Sequence, residues 1–262
     1  MDRRTKIFLG WVAAACLATA SGAATLDEVE ACLKSNSPKE TSVQTITLEA
    51  VGRTGTANVS KATIHWKKLG DEKSGALIHF TAPAQLRGSA ALFLEKEGRN
   101  DMFMYLPELG KVRRVTGRMM GGSLFGTDFA YEDFERLQGL EERGERALLP
   151  DAQLGTRKAY VIEERFSEES ESTYRLVRTH IDQETCVPLQ VEGFETKDVV
   201  SKIMTIDPEA VRKIGEIYVP LSIRAESPSE QTYTVLTIDD IELEVDIPRK
   251  KFSKSELERL GR

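Results

Sequence analysis

Histidine is scarce in this chain, and that excludes most metal and acid–base chemistry. His65, His79 and His180 are the three present in 262 residues. Each falls in a strand-like segment, and none is spaced from another as helix-borne metal ligands are. Cysteine is equally sparse, with only Cys16, Cys32 and Cys186, too few for a four-cysteine zinc site. Nucleophile and phosphate motifs are missing as well. In Gly121-Gly122-Ser123-Leu124-Phe125-Gly126 a nucleophile elbow needs glycine two residues after the serine, where Phe125 stands. A phosphate cradle needs a Lys-Ser/Thr pair that Gly126-Thr127-Asp128 does not supply. Asp128, Glu132 and Asp133 match no calcium-loop spacing, and helix capping accounts for them. No catalytic constellation, metal site or cofactor motif is assembled, so the sequence reads as non-enzymatic.

Other absences bound the architecture. No Pro/Gly/Ser-rich linker divides the chain, no low-complexity tract appears, and no repeat recurs at a solenoid period. One domain over residues 24–262 is expected. No apolar run is long enough for a comfortable membrane span. The first residues read instead as a secretory signal over residues 1–23: Arg3, Arg4 and Lys6 precede the apolar stretch Ile7 to Ala20, and Ser21-Gly22-Ala23 offers small residues for cleavage. Acylation at Cys16 is disfavoured because Ala13 stands where a larger aliphatic is usual. Cleavage leaves Cys32 and Cys186, an even pair bound for an oxidising compartment, either joined as a disulfide or buried as thiols. It also removes three basic residues and one acidic, taking the net charge from −6 to about −8. Such acidity argues against general nucleic-acid binding.

What is present is β structure. Ile46, Leu48 and Ala50 alternate with polar neighbours, as do Ala62, Ile64 and Trp66, so each segment buries one face and wets the other. Similar segments recur at 76–81, 89–96, 102–106, 111–115, 157–166, 173–181, 187–194, 199–206, 216–225, 231–239 and 241–247, with short charged or glycine-containing turns between them. An antiparallel meander is the economical topology. Capping boxes at Thr25/Glu28 and Ser253/Glu256 predict a helix at each end, and Tyr131 to Leu137 reads as a helical turn. So many strands with so few helices fit a large curved antiparallel sheet, an incomplete barrel around an apolar cavity.

The densest stretch runs from Met102 to Phe134, MFMYLPELGKVRRVTGRMMGGSLFGTDFAYEDF. It predicts a hairpin with a basic rim, Val112 and Arg114 on one face and Arg113 and Val115 on the other. A loop follows in which glycines bracket Arg118, Met119, Met120, Leu124 and Phe125. Loops are seldom so apolar, and side chains of this kind usually have a ligand, a partner or a cavity to enter. This run resembles the signature of LolA-like proteins, in the branch of outer-membrane lipoprotein-sorting proteins, and the resemblance extends over nearly the whole chain beyond residue 29. It implies a half-barrel under helices and a periplasmic binding role.

From these readings come the expected site residues. Ile64, Trp66, Leu92, Leu94, Met102 and Met104 are expected to line the cavity. Met119, Met120, Leu124 and Phe125 form its gate, methionine suiting variable acyl chains. Lys111, Arg113, Arg114 and Arg118 are expected to meet head groups or a partner. The expected client is a lipid or acylated protein, moved between membranes with transient membrane contact and an inner-membrane transporter as partner. The competing expectation is an accessory module that docks on such a transporter and carries nothing.

Overall fold

Alternating apolar and polar side chains build two successive antiparallel runs in the computed structural model, which describes residues 24–70, 73–97, 100–140, 144–196 and 199–261. The expected leader lies outside the described residues. After helix α1 (Leu26–Lys34) come β1 (Thr41–Val51), β2 (Ala57–Gly70), β3 (Lys73–Ala82), β4 (Ala90–Leu94), β5 (Asp101–Leu106) and β6 (Lys111–Val115). Helix α2 (Tyr131–Leu137) precedes β7 (Glu145–Leu154), β8 (Arg157–Arg165), β9 (Leu176–Asp182), β10 (Pro188–Thr196) and β11 (Val199–Thr205). A small hairpin, β12 (Val211–Ile214) and β13 (Ile217–Pro220), leads to β14 (Ser222–Ser227), β15 (Thr232–Leu243) and helix α3 (Lys254–Leu260). All strands but the hairpin join one 13-stranded sheet in the order β6-β5-β4-β3-β2-β1-β15-β14-β11-β10-β9-β8-β7. The weld between the two runs is the pairing of β1 with β15, from Ser42↔Leu243 to Val51↔Tyr233.

The sequence-based elements differ from this at a few points. The segment expected at 216–225 is broken at Leu221 into β13 and β14. The alternating run 241–247 is no separate strand: β15 continues into it and ends at Leu243, and Glu244 then takes a positive φ of 57°. At α1 both halves of the Thr25/Glu28 capping box form. At α3 only one does, since Ser253 Oγ accepts the Glu256 N–H while the Glu256 carboxylate accepts from Arg259 instead.

Side chains one residue apart on a strand face opposite ways, so the sheet has two apolar faces. Ile46, Leu48, Ile64, Trp66, Ile78, Phe80, Phe93, Met102 and Val115 share the inner one with Val177, Val191, Met204 and Leu236 from the second run. Leu77, Leu92, Phe103 and Tyr105 share the outer one, where Leu257 of α3, Ile247 and Phe252 cover them. Helix α1 packs Val29 on Ile162 and Ile181 of β8 and β9. The Cys32–Cys186 disulfide, with Cα atoms 5.4 Å apart and a sequence separation of 154, fastens it there.

Chain order explains how the site is placed. β6 and β7 follow one another in sequence but form opposite edges of the sheet. Residues 116–144 must therefore cross from edge to edge. In a flat sheet about twelve steps of roughly 4.8 Å would hold those edges about 60 Å apart. The contacts of α2 show how far the sheet curls instead. Asn100, in the turn before β5, donates to Glu135 at 2.8 Å, and the adjacent Arg136 donates to Glu164 of β8 at 2.7 Å. The segment before β5 and strand β8, each next to one of the two edge strands, are thus held by one short helix, and α2 sits where strand pairing stops. The sheet is an unclosed barrel with a helix in its seam.

The expected cavity is corrected where the first run meets the crossing segment, because that part of the inside is filled. Ile46, Ile78, Phe80 and Phe93 have no accessible surface, and Leu124, Phe129 and Phe134 retain 1 % each. A water-sized void beside these side chains would leave accessible surface on them, so the protein's own groups pack this part of the interior.

Candidate functional site

The crossing segment is a compact structure rather than a slack loop. After a turn at Gly117–Met119, Leu124 N–H donates to Phe129 O at 2.8 Å, Tyr131 N–H to Gly122 O at 3.2 Å and Glu132 N–H to Met120 O at 3.1 Å. Ser123 Oγ donates to the Thr127 carbonyl at 2.7 Å, a turn-closing role that accounts for the serine. Glycine is required at 121, where a Cβ would stand 2.5 Å from Thr173 Cγ2. Phe125 sits at φ 51°, a left-handed conformation that a bulky residue adopts only when its surroundings enforce it. Those surroundings are the Phe80 ring at 4.8 Å and the Tyr131 ring at 6.1 Å, both edge-on.

This fold brings most of the expected lining and gate residues together. Ile64, Trp66, Met102 and Leu124 lie in one buried cluster, with Met104, Met120 and Phe125 half-buried against it. The Tyr131 hydroxyl reaches Met104 Sδ at 3.4 Å. Leu124 and Phe125 plug the space that the strands enclose. Two of the expected lining residues are elsewhere. Leu92 and Leu94 point to the outer face under α3, because Ala91 and Phe93 take the inward positions of β4. Met119 is outside the cluster too, 44 % exposed.

A buried polar anchor holds the plug in place, and nothing local in the sequence announces it. The Asp128 carboxylate accepts from Thr232 Oγ1 at 2.5 Å and from Thr234 Oγ1 at 2.8 Å, while its backbone N–H donates to Thr234 Oγ1 at 2.8 Å. Lys202 Nζ donates to the Asp128 carbonyl and to Ser227 Oγ. Two turns on, Asp133 accepts from Ala130 N–H and from the Tyr174 hydroxyl, each at 2.8 Å. Glu132 accepts from Ser172 Oγ at 2.7 Å and from the backbone and hydroxyl of Thr173. Burial raises the pKa of Asp133 against the pull of Lys202 and these donors, raises that of Glu132, and lifts the Tyr131 phenol to about 12. Glu164 goes the other way: burial works against its carboxylate, but Arg136 and Arg146 beside it hold its pKa below the usual range. These acids tie α2 and the plug to the sheet. Among the described residues no group of three His, Cys, Asp or Glu could hold a metal ion.

The basic residues divide by face. Register pairs Phe103 with Arg114 on the outer face and Met104 with Arg113 on the inner. Arg114 is occupied by Asp101 at 2.5 Å, whose pKa is lowered by Lys96 first of all. Lys111, Arg113 and Arg118 are exposed and have no ion-pair partner among the described residues. A groove of about 560 Å³ lies on the outer side, between Val43, His65, Glu242, Ile247 and Lys251. It does not touch the plug. Among the described residues no helix is long and apolar enough to cross a membrane.

Comparison with known proteins places this arrangement. A family model described as that of an uncharacterised protein matches residues 72–259, and no curated protein matches significantly. The fold recurs in a DUF1329 family protein from Desulfovibrio piger, 22% identical, with a TM-score of 0.80 over 88% of this chain and 96% of that one. An outer membrane lipoprotein-sorting protein domain from Vibrio parahaemolyticus gives 0.80 at 21% identity, over 88% and 97% of the two chains. A LolA superfamily protein from Nitrosomonas europaea gives 0.66 at 19% identity, over 87% and 98%. The family model spans residues 72–259, so the chain belongs to that family of uncharacterised proteins, and its fold is the one shared with these three structures, a LolA superfamily protein among them.

Proposed function

We propose that the protein is a periplasmic, non-enzymatic carrier that binds the acyl chains of a lipid or lipoprotein and moves them between membranes. The observation that carries this reading is the plug. Leu124 and Phe125 fill the barrel from a glycine-bracketed segment that joins the sheet through side chains, above all Asp128 to Thr232 and Thr234, rather than through strand pairing. Lifting it would expose Ile64, Trp66, Phe80, Met102 and Met104 as one apolar trough without breaking a strand pair. The closed structure is then the unloaded state, in which the protein's own side chains stand in for the cargo. Each methylene buried in such a trough contributes about 0.8 kcal/mol, so one long acyl chain suffices to displace the plug. Met120 would line the opened mouth, and Lys111, Arg113, Arg114 and Arg118 lie along the strand that leads into it, where anionic head groups would rest. The cysteine pair is joined as a compartment outside the cytoplasm would have it.

The packed interior also favours a second reading, an accessory module that docks on an inner-membrane transporter and carries nothing. Native mass spectrometry with organic extraction separates the two, using protein recovered from a periplasmic fraction without detergent. Co-purifying lipid or acylated protein, lost on Leu124→Asp or Phe125→Asp, is the expected outcome. A clean apo mass with no uptake of offered lipid would overturn the carrier reading and leave the docking module.

A further inference from the structure

We propose that β6 and the turns at its two ends form a docking surface for an anionic lipid bilayer. The chain carries a formal net charge of −6, yet Lys111 and Arg113 on the edge strand β6, and Arg118 in the turn after it, are exposed and unpaired among the described residues. Exposed large apolar side chains among the described residues are Val59, Leu109, Met119 and Val199. Two of these four flank the same strand. Leu109 is 42 % exposed in the turn entering β6, and Met119 is 44 % exposed in the turn that follows it. Cations that meet lipid phosphates, set between apolar side chains that enter the acyl boundary, make an interfacial anchor.

A simpler account of the charges is that they stop edge strands from pairing with other copies. That account is satisfied by charge of either sign. It explains neither why an acidic chain sets Lys111, Arg113 and Arg118 here against the single exposed carboxylate of Glu108 nor why Leu109 and Met119 are left in water beside them. An acidic protein surface would satisfy the cations but not this apolar pair, which is why a bilayer is the better occupant. Docking would set residues 117–125, continuous with β6, against the membrane. On the carrier reading, on which this consequence rests, that is where acyl chains cross.

The test is co-sedimentation with vesicles of phosphatidylcholine containing a minor fraction of phosphatidylglycerol, compared with phosphatidylcholine alone, at low and high salt. The protein is taken from the periplasmic fraction with its N-terminus fixed by mass. The expected result is salt-sensitive binding to the anionic vesicles. Reversing K111E, R113E and R118E together should weaken it about 100-fold, at about fivefold per cation. Met119→Ser should weaken it further, and the exposed K158E on β8 should leave it unchanged. The triple reversal keeps the edge charged, so an oligomeric state and a thermal midpoint unchanged from the wild type show that folding is intact. Failure of the wild type to bind anionic vesicles, equal binding by the triple variant, or retention on immobilised polyglutamate without vesicle binding would each overturn the proposal. Cargo is read separately, as lipid carried by the purified protein, so loss of docking and loss of cargo are distinguishable.

Discussion

Thr234→Val should release the plug. Thr234 is wholly buried, and its hydroxyl serves Asp128 twice, accepting from the backbone N–H and donating to the carboxylate, both at 2.8 Å. Valine keeps the shape, so no cavity opens. What is lost is a hydrogen bond to a charged group, about 1.5–3 kcal/mol, together with about 1–3 kcal/mol for a buried N–H left without an acceptor. Because one hydroxyl serves both, the sum is best taken as about 3–5 kcal/mol. Urea unfolding followed by fluorescence gives the global figure, since Trp66 sits in the inner cluster. Hydrogen exchange at Leu124 and Tyr131, whose amides donate within the segment, gives the local one. Both figures start from the closed state and should fall, so the urea dependence of exchange decides: if the segment opens as a unit, residues 116–134 should exchange through an opening of lower free energy than global unfolding and little sensitive to urea. If it unfolds only with the sheet, they should exchange with the global free energy and its full urea dependence. The second result would refute a liftable plug even with the fold intact, and no change in either would refute the anchor itself.

Leu92→Ala should cost about 2–5 kcal/mol of stability, as for a fully buried leucine, and should leave lipid retention unchanged, because Leu92 faces α3; Met102→Ala should disturb both. Replacing Cys32 and Cys186 by serine should lower stability by about 2–5 kcal/mol, near the upper end given so long a closed loop, as read by urea unfolding with and without reductant. Acid should act first on the outer face. Burial, aided by Lys251, lowers the His65 pKa to about 4, and His79 is lowered likewise. A depressed histidine contributes in full above its unfolded value near 6.5 and loses that contribution as pH falls towards 4. Asp133 and Glu132, with raised pKa values, have the opposite sign. Urea midpoints should therefore drop between pH 6.5 and 4, less steeply in His65→Gln. Equal slopes in the two proteins would sink this assignment.

Periodicity made the first half of the sheet legible. In β2 the inward Ala62, Ile64 and Trp66 alternate with polar residues, and the structure buries those three. β4 is different. Ala90, Ala91, Leu92 and Phe93 all have no accessible surface, so alternation cannot say which pair faces in. The answer lies in α3, more than a hundred residues later, which covers the outer side. β7 escaped notice because Pro150 interrupts it. The pairing with β8 shifts register between Leu149 and Ala152, and an edge strand is where a sheet tolerates proline. The gate residues were visible as an apolar loop among glycines. Their anchors were not, since Thr232, Thr234 and Lys202 reach Asp128 only after β15 has returned beside β1 and β11 has joined β14. Whether the barrel is hollow or full cannot be told from hydrophobic pattern, because the same side chains serve either state.

On the carrier reading, the helix in the seam bears on how cargo of differing girth would be accommodated. A closed barrel has a circumference fixed by its hydrogen bonds, and widening it means breaking a whole ladder of them. Here β6 and β7 were never joined, and what spans them is α2, held by side chains such as Glu135 to Asn100 and Arg136 to Glu164. Opening the seam would break side-chain contacts, the buried Arg136–Glu164 pair among them at about 3–5 kcal/mol, rather than a whole backbone ladder. The wall therefore has an expansion joint. On the carrier reading, the two halves of the sheet would part at this seam to admit one slim acyl chain or several, with every strand still paired to its neighbours.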